Sequence, residues 1–278
     1  MNHAPFPYPG GKARHAEWIV EHIPEHVCYV EPFGGAGAVL FNKPPSTAEV
    51  YNDVDGDIVQ FFEMLRDRHD DLVVWLERVP FARDVHLEWT NAFYNDGYRP
   101  DDPVERAGRF FYLRFSQWGS KYHGTSGFTV QPHRNTARGL KNRVDELDQF
   151  ADRLRSVVIE NADWREIVEL YDSPDTVFYC DPPYMGTEVN YVDGDVDHRE
   201  LHDTLVSIEG RAIVSHDAVP PFYTDDWQIV SKDATFKIDS VGGDKAATEY
   251  LLMNYDADGT PIMSDVGQQT FDTMVTDD

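Results

Sequence analysis

The chain reads as short apolar runs alternating with segments of helical period. Val27 to Glu31 is an apolar run that ends in Phe33-Gly34-Gly35-Ala36-Gly37 and is followed by the helix-compatible Ala38 to Asn42, which predicts strand, turn and helix in that order. Ala48 to Asn52 forms a second run leading into Asp53, and Ile58, Phe61, Phe62 and Leu65 then recur at i, i+3, i+4 and i+7. Further strands are predicted at Val157 to Glu160, Thr176 to Cys180, Ala212 to Ser215 and Trp227 to Val230, with a late pair around Ala234 to Ile238 and Glu249 to Tyr255. Strands separated by helices predict an α/β fold with parallel strands. From about Leu72 to Ala151 the strand signals thin out, and helical patterns rich in Trp, Phe and Tyr surround the stretch Gly119 to Pro132. A mostly helical insertion with one β-hairpin is therefore expected. Residues 1–70 and 152–256 would form the α/β body, residues 71–151 the insertion and residues 257–278 an acidic tail.

A length of 278 residues accommodates two such parts. No run reaches the roughly 18 to 20 apolar residues needed to cross a bilayer, and Met1 to Gly11 lacks the basic-then-apolar pattern of a secretory signal. A cytoplasmic protein is expected, encoded by a cell or by a virus acting in its host. Cys28 and Cys180 are the two cysteines; their apolar contexts suit buried free thiols, and they form no zinc signature.

Charge changes the picture. Fifty acidic against 24 basic residues give a net charge of −26, whereas nucleic-acid binders are usually basic. Asp outnumbers Glu 33 to 17 and Lys falls to 7, which suits a halophilic surface adapted to molar salt. A DNA-mimicking inhibitor and an ordinary acidic enzyme with a small-molecule substrate are the other readings. Against this background residues 106–143 carry Arg106, Arg109, Arg114, Lys121, Arg134, Arg138, Lys141 and Arg143 and no Asp or Glu. A merely solvated face in so acidic a chain would intersperse acids, so the window predicts a polyanion-binding surface.

Three motifs carry chemistry. Asp181-Pro182-Pro183-Tyr184 directly follows the strand ending at Cys180, and ligands of open α/β sheets bind beyond the carboxyl ends of strands. Taken alone, the tetrapeptide also suits a plain turn. An exocyclic amine such as adenine N6 is a poor nucleophile because its lone pair is delocalised into the ring. Two acceptors aimed at its hydrogens, the Asp181 carboxylate and the Pro182 carbonyl, favour the tetrahedral geometry needed for attack, and an aromatic ring at Tyr184 can hold an extruded base by stacking. Glu31-Pro32-Phe33-Gly34-Gly35-Ala36-Gly37, with Asp53 ending the next strand, suits an adenosine cofactor, the glycines admitting the ligand and the acid binding ribose hydroxyls. NAD fits this spacing as well, and Asp55 and Asp57 leave the choice of acid open. Pro7-Tyr8-Pro9-Gly10-Gly11-Lys12 lacks the GxxxxGK[ST] spacing, and Ala13 stands where a magnesium-binding hydroxyl would be; nucleotide hydrolysis is not expected. The eleven His residues are dispersed with no HExxH, His216-Asp217 is read as structural, and no metal is expected.

Together the motifs resemble the Dam-type DNA N6-adenine methyltransferases of the D12 class, the α-group. That family shows, in the same order, an aromatic-x-GGK motif, VEPFxGxG, an acid after the second strand, a target-recognition insertion and DPPY. Further matches are Tyr112-Leu113-Arg114, Ser215-His216-Asp217 and Glu249-Tyr250-Leu251-Leu252-Met253-Asn254-Tyr255, so the resemblance spans about Phe6 to Tyr255. It implies a Rossmann-like methyltransferase sheet and S-adenosyl-L-methionine as cofactor. Tyr8, Gly11, Lys12, Phe33, Asp53 and Asp181 would contact that cofactor, Glu31 and the loop of Gly34, Gly35 and Gly37 would surround its methionine part, and Asp163 would lie near its adenine. It further implies double-stranded DNA as partner, a monomer, and DNA contacts from Arg114, Gln117, Lys121, Tyr122, His123, Arg134, Arg138 and Lys141. Members that read GATC show Asn-Gly-Leu-x-Arg-x-Asn where this chain has Gln117-Trp118-Gly119-Ser120-Lys121-Tyr122-His123. Lys121 lacks the bidentate fork with which Arg reads guanine, so GATC is one candidate target. The alternatives are an N-methyltransferase acting on RNA and a catalytically silent DNA-binding regulator.

Overall fold

In the computed structural model, described over residues 4–118, 127–185, 196–224, 226–236, 245–256 and 258–262, the apolar runs become strands of one seven-stranded sheet. The strands are β1 (Cys28–Glu31), β2 (Ala48–Asn52), β3 (Val158–Glu160), β4 (Thr176–Cys180), β5 (Arg211–His216), β6 (Gln228–Phe236) and β7 (Lys245–Met253), in the order β3-β2-β1-β4-β5-β7-β6. The first five pair in parallel, and β7 runs antiparallel to both neighbours. All five residues of β4 are buried, as a continuous apolar run at the centre of a parallel sheet should be. The order reverses at β1, which has β2 on one side and β4 on the other. The loops leaving β1 and β4 therefore emerge side by side at one rim, the position where open α/β sheets bind ligands.

Two expectations are corrected. No helix follows β1: residues 38–42 form successive turns, because Pro44-Pro45 ends the segment after little more than one turn, too short a run to propagate a helix. The Leu40 N–H, left without a backbone partner in a first turn, is taken by the Glu31 carboxylate at 2.7 Å. Trp227 to Val230 and the run beginning at Ala234 are not separate strands. They join in β6, whose register with β7 is unbroken from Gln228↔Met253 to Phe236↔Lys245; Ile238 lies outside the described residues.

After α1 (Ala16–Val20) and α2 (Gly56–Asp67) come α3 (His69–Arg78), α4 (Arg83–Thr90), a π-turn over Asn91–Asn95, α5 (Pro103–Ser116), α6 (Thr136–Asp145) and α7 (Leu147–Leu154). Local chemistry sets their starts. Asp102 accepts from Val104 and Glu105 N–H with Pro103 opening α5, and Asn135 accepts from Arg138 N–H to cap α6. These helices have no core of their own: Phe110, Phe111, Leu147 and Phe150 belong to one buried cluster with Tyr29, Leu40 and Phe61. A buried ion cluster ties the same junction, Lys43 Nζ donating to Glu49 Oε1 at 2.6 Å and Arg153 of α7 reaching that oxygen at 2.7 Å. Of the expected hairpin, a single antiparallel bridge, Gln117↔Phe128, is described; residues 119–126, with Lys121, Tyr122 and His123, lie outside the described residues, as do residues 263–278 of the tail.

Candidate active site

A pocket of about 300 Å³ opens at the rim where β1, β2 and β4 end. Tyr8, Gly11, Lys12, Glu31, Phe33, Gly34, Gly35, Asp53, Asp163, Asp181, Pro182 and Tyr184 all line it. Gly37 does not; it shapes the turn, with φ of +64° and its N–H on the Gly34 carbonyl at 2.8 Å. The glycine loop lies on Tyr51 of β2. The tyrosine hydroxyl donates to the Gly35 carbonyl at 2.6 Å, and a Cβ on Gly34 would meet the tyrosine ring at 2.2 Å, so only glycine fits.

Acids converge on the pocket, and burial raises their pKa values. Glu31 is pushed up to about 7 by burial, against hydrogen bonds to Oε1 from the Tyr29 hydroxyl and Leu40 N–H. Burial raises Asp53 to about 6 although Gly35 N–H and Asp55 N–H donate to its two oxygens, each at 2.8 Å. Asp55 caps α2 through Asp57 N–H, and burial with the neighbouring Asp53 raises it to about 7. Asp163 caps α8 (Trp164–Tyr171) and pairs with Arg165 at 2.9 Å.

At the mouth, Lys12 Nζ lies 2.8 Å from Asp181 Oδ1, 3.4 Å from Glu249 Oε1 and 3.0 Å from the Gly10 carbonyl it donates to. Burial opposes the charge on Lys12, but Asp181 and Glu249 outweigh it and hold its pKa above the ordinary lysine value. Burial also lifts Asp181 to about 6, Lys12 resisting and Glu249 adding to the rise. Tyr184 donates its hydroxyl to Glu249, stacks on His216 with ring centroids 5.2 Å apart and planes at 13°, and lies under Lys12 Nζ, 4.6 Å from its ring centroid. The Pro183 carbonyl accepts from His198 Nε2 at 2.9 Å, at the start of α9 (His198–Ser207).

His198 is a site residue that the motifs did not single out, and Glu249, which heads the Glu249 to Tyr255 match, had been given no role. An acid directly before the apolar run Tyr250 to Met253 was the available signal for Glu249; His198 carried none. Arg114 and Gln117 lie apart from the pocket. Both are buried, Arg114 donating to Gln117 Oε1 at 2.6 Å and to the Tyr94 hydroxyl, because this end of α5 packs into the core. The basic window is also narrower than its charge count implied: Arg106 pairs with Asp57 at 2.8 Å, Arg109 with Glu105 at 2.6 Å, Lys141 with Asp145 at 3.2 Å and Arg143 with Glu146 at 2.8 Å. Arg134 and Arg138 are exposed, and neither has an ion-pair partner among the described residues.

Among the described residues, no group of three His, Cys, Asp or Glu side chains is placed to hold a metal ion, and no helix is long and apolar enough to cross a membrane. Residues 8–235 match the family described as D12 class N6 adenine-specific DNA methyltransferase. A DNA adenine methylase of Haemophilus influenzae is 30% identical over 230 residues, covering 77% of this chain and 78% of that protein. The DNA adenine methylase of Salmonella typhi is 26% identical over 280 residues, covering 91% and 95%. The solved structure of a putative methyltransferase, yhhF, from Escherichia coli covers 90% of this chain and 89% of that one at 10% identity and a TM-score of 0.37, too slight a likeness to add to the sheet order. Sheet, pocket and match agree, and the chain belongs to the D12 class of N6 adenine-specific DNA methyltransferases.

Proposed function

We propose that the pocket binds S-adenosyl-L-methionine and that Asp181, the Pro182 carbonyl and Tyr184 receive an adenine extruded from double-stranded DNA. The observation that carries this reading is the meeting of the glycine loop and the Asp181-Pro182-Pro183-Tyr184 loop in one pocket, with Lys12 ion-paired to Asp181. The residues present fit the cofactor. Buried acids with raised pKa values gain from a cationic ligand, Asp53 and Asp55 supply acceptors for ribose hydroxyls, and Phe33 and Trp164, with ring centroids 6.1 Å apart, form an apolar wall for its adenine.

When bound, the cofactor supplies a methyl group on a positively charged sulfur. The chain's own task lies with the acceptor amine. Asp181 and the Pro182 carbonyl hold its hydrogens, which frees the nitrogen lone pair from the ring. His198, by holding the Pro183 carbonyl, fixes the loop that presents the Pro182 carbonyl. Methyl transfer from the tritiated cofactor to duplex DNA and, in parallel, to RNA, followed by nucleoside analysis, tests the reading: label in N6-methyladenine of the DNA supports it, and label confined to RNA or absent overturns it.

Cofactor and DNA binding separate by mutation. Asp53→Ala is expected to weaken calorimetric cofactor binding by roughly 1.5 to 3 kcal/mol, the worth of a hydrogen bond to a charged group, with DNA affinity nearly unchanged. Unaltered cofactor binding would move the ribose role to Asp55. The residues of the insertion form the DNA-reading part in this proposal, with the exposed Arg134 and Arg138 of the α6 end on phosphates. Each neutralised phosphate contributes about 0.9 to the slope of log K against log salt, so the double variant Arg134→Gln, Arg138→Gln should flatten that slope by up to about two units. An unchanged slope would place the phosphate contacts elsewhere.

A further inference from the structure

Glu249 lies outside residues 8–235 that match the family, yet it touches two residues of the acceptor site, Lys12 and Tyr184. It is 8% exposed, on a strand antiparallel to its neighbours at the far side of β5 from β4. Two partners reach it from separate parts of the chain: Lys12, from a short 3₁₀ turn near the N-terminus, and the Tyr184 hydroxyl, from the loop after β4.

Lys12 could otherwise commit its whole charge to Asp181. A carboxylate whose charge is neutralised by a lysine is a weaker acceptor for the hydrogens of an amine, since hydrogen bonds to a full anionic charge are the stronger ones. A second carboxylate 3.4 Å from the same ammonium divides that charge, and in a buried site with reduced screening the division matters more than at a surface.

We propose that Glu249 is a positioning residue of the methyl-transfer site, which shares Lys12 with Asp181 so that Asp181 stays a strong acceptor, and which anchors Tyr184 beside the target amine. The inference rests on the function proposed above. It goes beyond it by assigning work to Glu249, on a strand to which the cofactor and acceptor motifs give no role.

Other groups act on this cluster, and none replaces Glu249. Glu31 on β1 and Tyr179 on β4 face Asp181 from below and carry no positive charge. His198 and His216 are neighbours of the loop, and burial lowers the pKa of His216, favouring its neutral form. His15 feels Glu249 and Lys12, with burial lowering its pKa. Lys232 stands opposite Glu249 in the β6 register but lies over the Trp18 ring, 5.6 Å from its centroid. Removing the Glu249 charge thus removes a negative neighbour that raises the Asp181 pKa, and Lys12 then acts on Asp181 alone.

The test compares wild type, Glu249→Gln and Glu249→Asp. In Glu249→Gln the acid limb of kcat/KM for duplex DNA should move to lower pH by roughly 0.5 to 1 unit, the plateau of kcat should fall, and Glu249→Asp should restore the wild-type limb. A merely structural role would lower activity at all pH values and leave the limb in place, which overturns the proposal. Carboxyl carbon-13 titration of the cofactor-free protein gives a readout independent of turnover, the Asp181 resonance being assigned with Asp181→Asn. It should titrate at lower pH in Glu249→Gln than in wild type. Should Glu249→Gln fail to fold, the wild-type titration decides: an Asp181 pKa at or below the ordinary aspartate value overturns the proposal. Absence of methyl transfer by wild type would instead defeat the underlying function, so the two failures remain distinct.

Discussion

Asp181→Ala is expected to lower kcat by roughly 10² to 10³, the cost of removing one preorganised polar group that stabilises a transition state, while affinity for duplex DNA measured by fluorescence anisotropy changes little. The variant removes one of two acceptors for the amine and leaves Lys12 with Glu249 alone. Because the working form of Asp181 is the anion, and burial lifts its pKa to about 6, wild-type activity should fall as the pH drops through about 6. Turnover by Asp181→Ala at the wild-type rate would remove Asp181 from the reaction.

Glu49→Ala should give the largest loss of stability. Glu49 and Lys43 are almost wholly buried, and Arg153 closes the cluster from α7. Removing the acid strands a buried ammonium, a change that costs about 3 to 5 kcal/mol in comparable sites. For a chain of this size that corresponds to a fall in Tm of roughly 10 °C, measured by circular dichroism. The sign of the pH dependence follows from the carboxyl. Burial pushes the Glu49 pKa up, but hydrogen bonds from Arg153 and Lys43 outweigh it, so the pKa in the folded protein lies below the ordinary glutamate value. The stabilisation is therefore fully present above that ordinary value and disappears as the pH falls through the lower one. The gap in Tm between wild type and Glu49→Ala should narrow on acidification; a gap that is absent at neutral pH would show the cluster to be isoenergetic with its apolar replacement.

Much of the catalytic rim was legible because it is built from local chain chemistry. The runs Cys28–Glu31, Ala48–Asn52 and Thr176–Cys180 are apolar and bounded by Gly, Pro or Asp, and each became a strand with a pocket loop at its carboxyl end. Gly34, Gly35 and Gly37 and the proline pair after Asp181 announce tight turns from residue type alone. The helix expected after β1 failed for a reason written in the chain itself: Pro44-Pro45 stops the segment after about one turn, too little to propagate a helix.

Charge shows the same division. The count of basic residues in 106–143 was correct, but a count assigns no partners. Arg106 found Asp57 on α2, Arg114 was folded into the core beside Gln117, and Arg134 and Arg138 stayed exposed on the segment that leads into α6. The amino-acid sequence by itself determined the family, the strand and loop pattern and the acceptor motif, since each depends on residues close together along the chain. Tertiary structure alone decided which charges are available and which are committed, and it brought Glu249 to Lys12 and Tyr184. Ion pairing and burial are set by distances of a few ångströms between elements far apart in sequence, and those distances exist only once the sheet has closed its order around β1 and β4.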